Sequence, residues 1–175
     1  MGLPGYKYLR SYQLSLVIYD LTVEFTKRWI NPHSRTKDQM EQAARSGKQN
    51  ILEGYMEKSL KSYIYLAGVA YASLGELLED YEDFARQNKI LIWDKDKAKL
   101  LREVGEVWEK STPDHPYIPN LPFDRERAVN LMITLINQTI FLLKRQITAL
   151  EDKFVKEGGF TENLFKRRLA ERKEK

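Results

Sequence analysis

The feature that most limits how this 175-residue chain can fold is a long apolar repeat near its C-terminus. A second apolar row beside it makes the apolar surface wider than the seam of a two-stranded coiled coil. Such a surface is typical of a helix in a helical core, and we expect this helix to begin after Asp124 and to end at Gly158. The repeat runs at intervals of three and four residues through Val129, Met132, Ile136, Ile140, Leu143, Ile147, Leu150 and Phe154, with Leu131, Leu135 and Leu142 in the second row.

Four earlier segments also show apolar residues at helical spacing, and we expect helices over residues 12–29, 36–55, 60–84 and 94–108. The second begins with the sequence TKDQ, which has the form of a capping box. In that motif the Thr36 hydroxyl accepts the Gln39 N–H. Ser59 is the expected N-cap of the third helix.

Between the fourth and last predicted helices lies the sequence STPDHPYIPNLPFD, in which four prolines exclude a helix. No segment shows the alternating pattern of a strand. These features predict an all-α protein: an antiparallel up-and-down four-helix bundle with a proline-rich crossover loop and a basic C-terminal helical extension. We assign residues 1–157 to the bundle domain and 158–175 to the extension.

The second predicted helix contains two glycines, Gly47 and Gly54, although each glycine inside a helix costs about 1 kcal/mol relative to alanine. On a helical wheel both lie on the apolar face, together with Met40, Ala43 and Ile51. We interpret Gly47 as a point of close helix contact, and Gly54 as either a close contact or a helix C-cap.

Polar residues border the apolar faces of the two central helices. We call this set the polar seam, and we expect it to fix how the two helices pair, because half-buried polar groups in a helical core usually bond to one another. A ligand or catalytic site is the alternative that the residues leave open, with carboxylates near Glu53 or Glu76. The polar seam consists of Gln39, Ser46, Asn50 and Glu53 on the second helix and Ser73 and Glu76 on the third.

Several kinds of catalytic and cofactor site lack their residues. The chain has no cysteine, and its two histidines, His33 and His115, lie beside prolines in predicted loops, away from partners that would complete a metal site or a catalytic triad. The sequence SGKQN lacks the glycine loop and strand of a phosphate-binding motif. We therefore expect no enzymatic activity, no metal and no cofactor.

The absence of cysteine fits a reducing compartment, and no apolar stretch is long enough to cross a membrane. The N-terminal residues do not resemble a signal peptide. We expect a cytoplasmic protein without a membrane partner.

Charge is unevenly distributed along the chain. The net charge is +4, and residues 153–175 alone hold eight Lys or Arg against four Asp or Glu. Such a tail can contact phosphates, although it has no motif that reads bases, and surface solubility is an alternative explanation. Two sets of basic residues are candidates for nucleic-acid contact: Lys37, Arg45 and Lys48 on the second helix, and Lys166, Arg167, Arg168, Arg172 and Lys173 in the tail. The tail also carries Leu164, Phe165 and Leu169, which we expect on one side of a short amphipathic helix.

Three segments of the chain resemble one family of bacterial proteins: DQMEQAARSGKQNILEGY, VAYASLGELLEDYEDFARQ and KFVKEGGF. The resemblance is to the four-helix-bundle proteins related to 23S rRNA intervening-sequence proteins, within them to the branch with a C-terminal extension, the four helix bundle suffix proteins. Where the general family commonly has isoleucine and alanine, this chain has Gly47 and Leu52. The resemblance implies a left-handed antiparallel bundle that assembles as a ring-shaped homo-oligomer, specifically a pentamer.

Together these observations predict a non-enzymatic, oligomeric adaptor that binds RNA or DNA through its tail and the basic surface of its second helix. The alternative is a scaffold for protein partners without a nucleic-acid role, in which the tail docks onto a partner or a neighbouring subunit.

Overall fold

The computed structural model describes residues 2–173, in which every regular element is helical. A 3-10 turn at Gly5–Tyr8 precedes α1 (Arg10–Trp29), α2 (Arg35–Met56) and α3 (Leu60–Gln87). Two short helices follow, α4 (Lys95–Ala98) and α5 (Arg102–Lys110), and then α6 (Arg125–Glu157) and α7 (Phe160–Lys173). The predicted all-α class is confirmed. Within the described residues, no helix is long and apolar enough to span a membrane.

The start of α2 differs from the prediction. Ser34, not Thr36, is the N-cap: its backbone is extended, and its Oγ accepts the Thr36 N–H at 3.2 Å. Thr36 already lies inside the first helical turn, so the prediction of a capping box at TKDQ was wrong. Ser59 does occupy the N-cap position of α3, although its side chain makes no capping hydrogen bond.

The single helix predicted over residues 94–108 is also wrong, because the chain breaks between α4 and α5. Asp94 caps α4 by accepting the Lys97 N–H at 2.8 Å. Three residues after this short helix, Leu101 has extended backbone and its side chain is buried. A continuous helix would lose this inward turn, by which Leu101 joins the apolar core.

The core lies between the four long helices α1, α2, α3 and α6. Helix α1 contacts α2 and α6, and α3 contacts the same two helices. Between α1 and α3, the Phe25 ring meets the Tyr81 and Phe84 rings edge-on, with centroids 4.8 and 5.1 Å apart. The buried Tyr81 hydroxyl donates to Thr22 Oγ1 at 3.1 Å, and burial raises the tyrosine pKa.

Hydrogen bonds near the helix ends show how these helices are placed along one another. Ser11, at the start of α1, donates to Gln146 Oε1, and Gln146 Nε2 donates to the Tyr63 hydroxyl at the start of α3. Arg28, at the other end of α1, donates to the Leu121 carbonyl just before α6. Helix α6 continues eleven residues beyond Gln146 to Glu157, a length of about 16 Å at 1.5 Å per residue.

Residues 111–124, which hold four prolines, form no helix, as predicted. Asp124 caps α6 as predicted, accepting the Arg127 N–H at 2.7 Å. At the far end Gly158 has a φ of +76°, a conformation that favours glycine, and α6 ends there as predicted.

Helix α7 forms, but the expected separation of apolar and charged faces was wrong. At 100° per residue, Arg168 and Arg172 fall between Leu164 and Phe165 on the helical wheel. The apolar side chains are exposed: 54% for Leu164, 58% for Phe165 and 41% for Leu169. Helix α7 therefore stands outside the core with its apolar and basic side chains intermixed.

Candidate functional site

The two central helices are in close contact at the two glycines of α2 that the sequence singled out. A Cβ placed on Gly47 would lie 2.8 Å from two side-chain carbons of Leu74. One on Gly54 would lie 3.0 Å from the Tyr63 ring and 3.2 Å from Leu66 Cβ. Gly54 lies inside α2, whose C-cap is Glu57, so of its two predicted roles the structure supports close contact.

The polar seam is partly assembled at this contact. The Ser46 and Ser73 hydroxyl oxygens are 2.9 Å apart and share a hydrogen bond between α2 and α3. Asn50 Nδ2 donates to the Ser46 carbonyl at 2.9 Å and to Ser46 Oγ at 3.1 Å. Ser46 is therefore hydrogen-bonded both to Ser73 across the α2–α3 contact and to Asn50 within α2.

Four residues of the polar seam line a groove, whereas Glu53 lies on the open surface. Gln39, Ser46, Ser73 and Glu76 all line an open groove of about 710 Å³ between α2 and α3, whereas Glu53 is exposed outside it. We call this cavity the polar groove. Its full lining is Arg35, Asp38, Gln39, Gln42, Ala43, Ser46, Ser73, Glu76 and Asp80.

The polar groove contains one carboxyl group with a shifted pKa. Burial raises the pKa of Asp80, and the negative charges of Asp83 and Glu76 raise it further. The sequence left a carboxylate site near Glu76 open as an alternative, and Asp80 lies one turn further along the same polar border of α3. Across the part of the chain that the structure describes, no group of three His, Cys, Asp or Glu residues could hold a metal ion. The groove therefore offers a half-buried carboxyl group and hydroxyl groups.

Two of the three predicted basic residues of α2, Lys37 and Lys48, have partners within the chain. Lys37 Nζ lies 3.0 Å from Glu41 Oε1, which also accepts a hydrogen bond from Thr26. Burial opposes ionisation of Glu41, but the hydrogen bonds from Thr26 and Lys37 outweigh it and lower the pKa. The Lys48 ammonium lies 5.1 Å from the centre of the Tyr19 ring.

The basic residues of α7 are less engaged. Lys166 pairs with Glu162 at 2.8 Å. The exposed Arg167, Arg168 and Arg172 have no carboxylate partner within 4.0 Å among residues 2–173. Lys173 ends α7, and its side chain lies outside the described part of the chain.

The structure does not bring the two basic sets together. Lys37 is bonded to Glu41, which contacts Thr26 near the end of α1, and that end of α1 reaches the residues just before α6. Helix α7 follows the opposite end of α6, which is 33 residues or about 50 Å long. Lys37 and the α7 residues therefore lie toward opposite ends of the molecule, whereas Lys48, beside Tyr19, lies near the middle of α1.

A group of aromatic residues that sequence reasoning missed lies at the end nearer α7. The Tyr55 ring contacts Tyr6 and Tyr63, with centroids 6.4 and 6.1 Å apart. Tyr8 lies two residues after Tyr6, and Tyr65 lies two residues after Tyr63. Their side chains are 58% and 71% exposed. The signal was present in the sequences GYKYLRSY and YMEKSLKSYIY, where tyrosine and lysine are interleaved.

A second, more apolar groove of about 1060 Å³ lies where α4 and α5 pack beside α6. Trp93 and Trp108 line it, and each indole N–H donates to a side chain of α6, to Glu126 at 2.6 Å and Gln138 at 2.8 Å. Phe141, 61% exposed, lies at this groove as well. We call it the tryptophan groove.

Both histidines lie in exposed loop segments, as predicted. The backbone N–H of His33 donates to Asn31 Oδ1, and the backbone N–H of His115 donates to Thr112 Oγ1. Both bonds stabilise local turns.

A scan against protein-family models, a search of curated proteins and a search of solved structures each found no match to this chain. Membership of the four-helix-bundle family stays a prediction from the residues of the two central helices.

Proposed function

We propose that α1, α2, α3 and α6 form an antiparallel up-and-down four-helix bundle, with residues 111–124 as its crossover loop. The hydrogen bonds at the helix ends support this topology. Ser11 at the start of α1 meets Gln146 late in α6, and Arg28 at the end of α1 meets Leu121 just before α6. In α3, Tyr63 likewise meets Gln146, while Asn88 at its end accepts from Arg125 at the start of α6.

We propose that this protein is a non-enzymatic, oligomeric adaptor of the cytoplasm that binds RNA or DNA through α7. The observation that carries this proposal is the exposure of three arginines without carboxylate partners among the described residues: Arg167, Arg168 and Arg172. Guanidinium groups that are free of internal ion pairs can bind phosphates without first breaking a salt bridge. The family resemblance supports a homo-oligomer, which would repeat this surface in each subunit.

In this proposal α2 has a smaller role than its sequence suggested. Lys37 is paired with Glu41, and Lys48 stacks against Tyr19, so phosphate binding there would compete with internal contacts. Arg45 is exposed, but it lies on α2, away from α7.

The test measures binding of the full chain to labelled single- and double-stranded RNA and DNA by fluorescence anisotropy at graded salt. We expect affinity to fall as salt rises, because bound lysines and arginines release counterions. Changing Arg167, Arg168 and Arg172 together to alanine should lower the magnitude of the log–log salt slope by roughly two to three.

The matched control changes Lys27, Arg35 and Lys95 to alanine, which removes the same charge from exposed positions on α1, α2 and α4. We expect little change in the salt slope for this variant. Absence of binding to every nucleic acid at low salt would refute the proposal.

A protein scaffold is the second candidate function, and the exposed apolar residues of α7 favour it. Leu164, Phe165 and Leu169 are exposed in the single chain, and a partner helix or a neighbouring subunit could cover them. The experiment removes every residue from Gly158 onward and compares oligomer size, by light scattering, and co-purified proteins with those of the full chain. Unchanged size and unchanged partners would rule the scaffold out, whereas the pentamer expected from the resemblance is tested by the mass of the full chain.

A further inference from the structure

One end of the molecule combines the basic extension with other elements that are far away in sequence. Gln146 of α6 bonds to Ser11 at the start of α1 and to Tyr63 at the start of α3. Tyr6 of the 3-10 turn contacts Tyr55 near the end of α2. We call this end the extension end, and it comprises residues 2–9, 53–65 and 144–173.

The net positive charge of the chain lies at the extension end. It holds twelve of the 29 Lys and Arg residues but seven of the 25 Asp and Glu residues. The rest of the chain is nearly neutral, with one more acidic than basic residue. Lys58 and Lys61, at the turn between α2 and α3, are exposed and have no carboxylate within 4.0 Å in the described ranges. A polyanion is therefore the partner that the charge favours.

Two tyrosines on the same end have side chains that are more than half exposed. Tyr8 lies at the end of the 3-10 turn and is 58% exposed, and Tyr65 lies in the second turn of α3 and is 71% exposed. The neighbouring Tyr6, Tyr55 and Tyr63 contact one another edge-on instead. Tyr8 and Tyr65 are therefore the tyrosines of this end whose ring faces a partner can reach most easily, and Phe165 of α7, 58% exposed, is a further accessible ring.

Exposed rings among positive charges fit single-stranded nucleic acid better than a duplex. Unpaired bases stack on aromatic side chains, and each such contact strengthens binding by about 5-fold or more. In a duplex the faces of the bases are already stacked on each other, so a duplex offers this surface its phosphates alone. Stacking thus adds a preference that charge cannot supply.

We propose that the extension end binds single-stranded RNA or DNA, with bases stacked on Tyr8 and Tyr65 and phosphates bound by Lys58, Lys61 and the α7 arginines. This inference rests on the proposed nucleic-acid function and adds to it the type of strand and two specific binding residues. It also makes the turn between α2 and α3 part of the binding surface.

The test compares the full chain with its Tyr8→Ala and Tyr65→Ala variants, using labelled oligo(U), oligo(dT) and a DNA duplex of equal length. The oligonucleotides are longer than the roughly 4–16 nucleotides that one single-strand-binding domain covers. We expect the wild type to prefer the single strands, and each variant to weaken single-strand binding by about 5-fold or more. Duplex binding and the salt slope should stay unchanged, because no charge is removed.

The matched control is Tyr71→Ala, since Tyr71 is 39% exposed on the middle of α3, outside the extension end. It should bind both strands as the wild type does, and thermal unfolding checks that all three variants are folded. If Tyr8→Ala and Tyr65→Ala bind single strands like the wild type, or Tyr71→Ala weakens binding equally, the inference is overturned while the proposed function stands. Failure of the wild type to bind any oligonucleotide at low salt, as for a chain whose partner is an acidic protein, overturns both.

Discussion

The two halves of α6 have the same apolar repeat but different surroundings. Up to Leu143 the helix lies in the core, and Val129, Met132 and Ile136 are fully buried. Beyond Leu143 no residue of α6 is buried, although the repeat continues with Ile147, Leu150 and Phe154. The comparison shows that apolar periodicity predicts a helix and the orientation of its face, whereas neighbouring elements determine whether that face is covered.

The largest expected effect compares one repeat residue from each half of α6. Ile136→Ala should lower the free energy of unfolding by about 2–5 kcal/mol, because a fully buried side chain leaves a cavity. Leu150→Ala, at a half-buried position, should cost no more than about 1 kcal/mol. Urea denaturation of both variants measures the difference, and equal losses would show that an oligomer covers the second half of α6.

The next effect tests how tightly the core is packed between α2 and α3. Gly47→Ala should destabilise the protein by about 1–2 kcal/mol, because its Cβ would lie 2.8 Å from Leu74 and this overlap outweighs the gain in helix propensity. Gly68→Ala is the control, since no atom lies within 4 Å of that Cβ position. It should stabilise the helix by up to about 1 kcal/mol. Thermal unfolding of the two variants should thus shift in opposite directions, and a shared direction would contradict the packing.

A pH-dependent effect should be confined to the covered half of α6. Burial opposes ionisation of Glu103, but hydrogen bonds from Arg127 at 2.9 and 3.3 Å outweigh it and lower the pKa. A lowered pKa contributes stability above the unfolded value of about 4.5, and this contribution is lost as the pH falls through the folded value. Glu103→Gln should therefore cost roughly 1 kcal/mol at neutral pH and progressively less below pH ~4.5.

The control for this pair lies in the projecting half of α6, where Glu157 is 3.9 Å from Lys153 and both side chains are exposed. Glu157→Gln should leave stability unchanged at every pH, because exposed pairs contribute little. A pH profile of unfolding that moves equally in both variants would contradict the distinction between the two halves.

The smallest expected effect is that of removing residues from Gly158 onward. Because α7 adds no residue to the apolar core, the shortened chain should keep its free energy of unfolding within about 0.5 kcal/mol. Denaturation of the shortened and full chains at several protein concentrations measures this. A concentration-dependent loss of stability would show that α7 is covered in an oligomer.

Much of the fold could be predicted because helical periodicity is a local property. Every residue placed on the apolar face of the second helix is buried: Met40, Ala43, Gly47, Ile51 and Gly54. The close contact at Gly47 followed from the same wheel. The incorrect predictions arose where local signals compete: both Ser34 and Thr36 suit an N-cap, and burial of Leu101 divides a segment that otherwise has a helical pattern.

The candidate site was less predictable because it depends on contacts between distant residues. Ser46 and Ser73 were assigned correctly to one polar seam, since two successive helices of similar length are natural neighbours. Asp80 lies on the same polar border of α3 as Glu76, but only the packed structure shows that burial raises its pKa. The basic residues of α2 and α7 were expected to add to one surface, but Lys37 lies toward the end of the molecule opposite to α7.

Local patterns in the sequence predicted that the chain is helical, which faces of its long helices are apolar, and where the longest helix begins and ends. Spacing, caps and glycines encode these properties within a few residues of each position. The packing of the helices shows in addition that α6 extends beyond the starts of α1 and α3. It also shows that the tyrosines of two distant segments lie at the end of the bundle from which α7 continues. The reason is physical: proximity between residues far apart in the chain depends on the lengths and directions of whole helices, which no local pattern specifies.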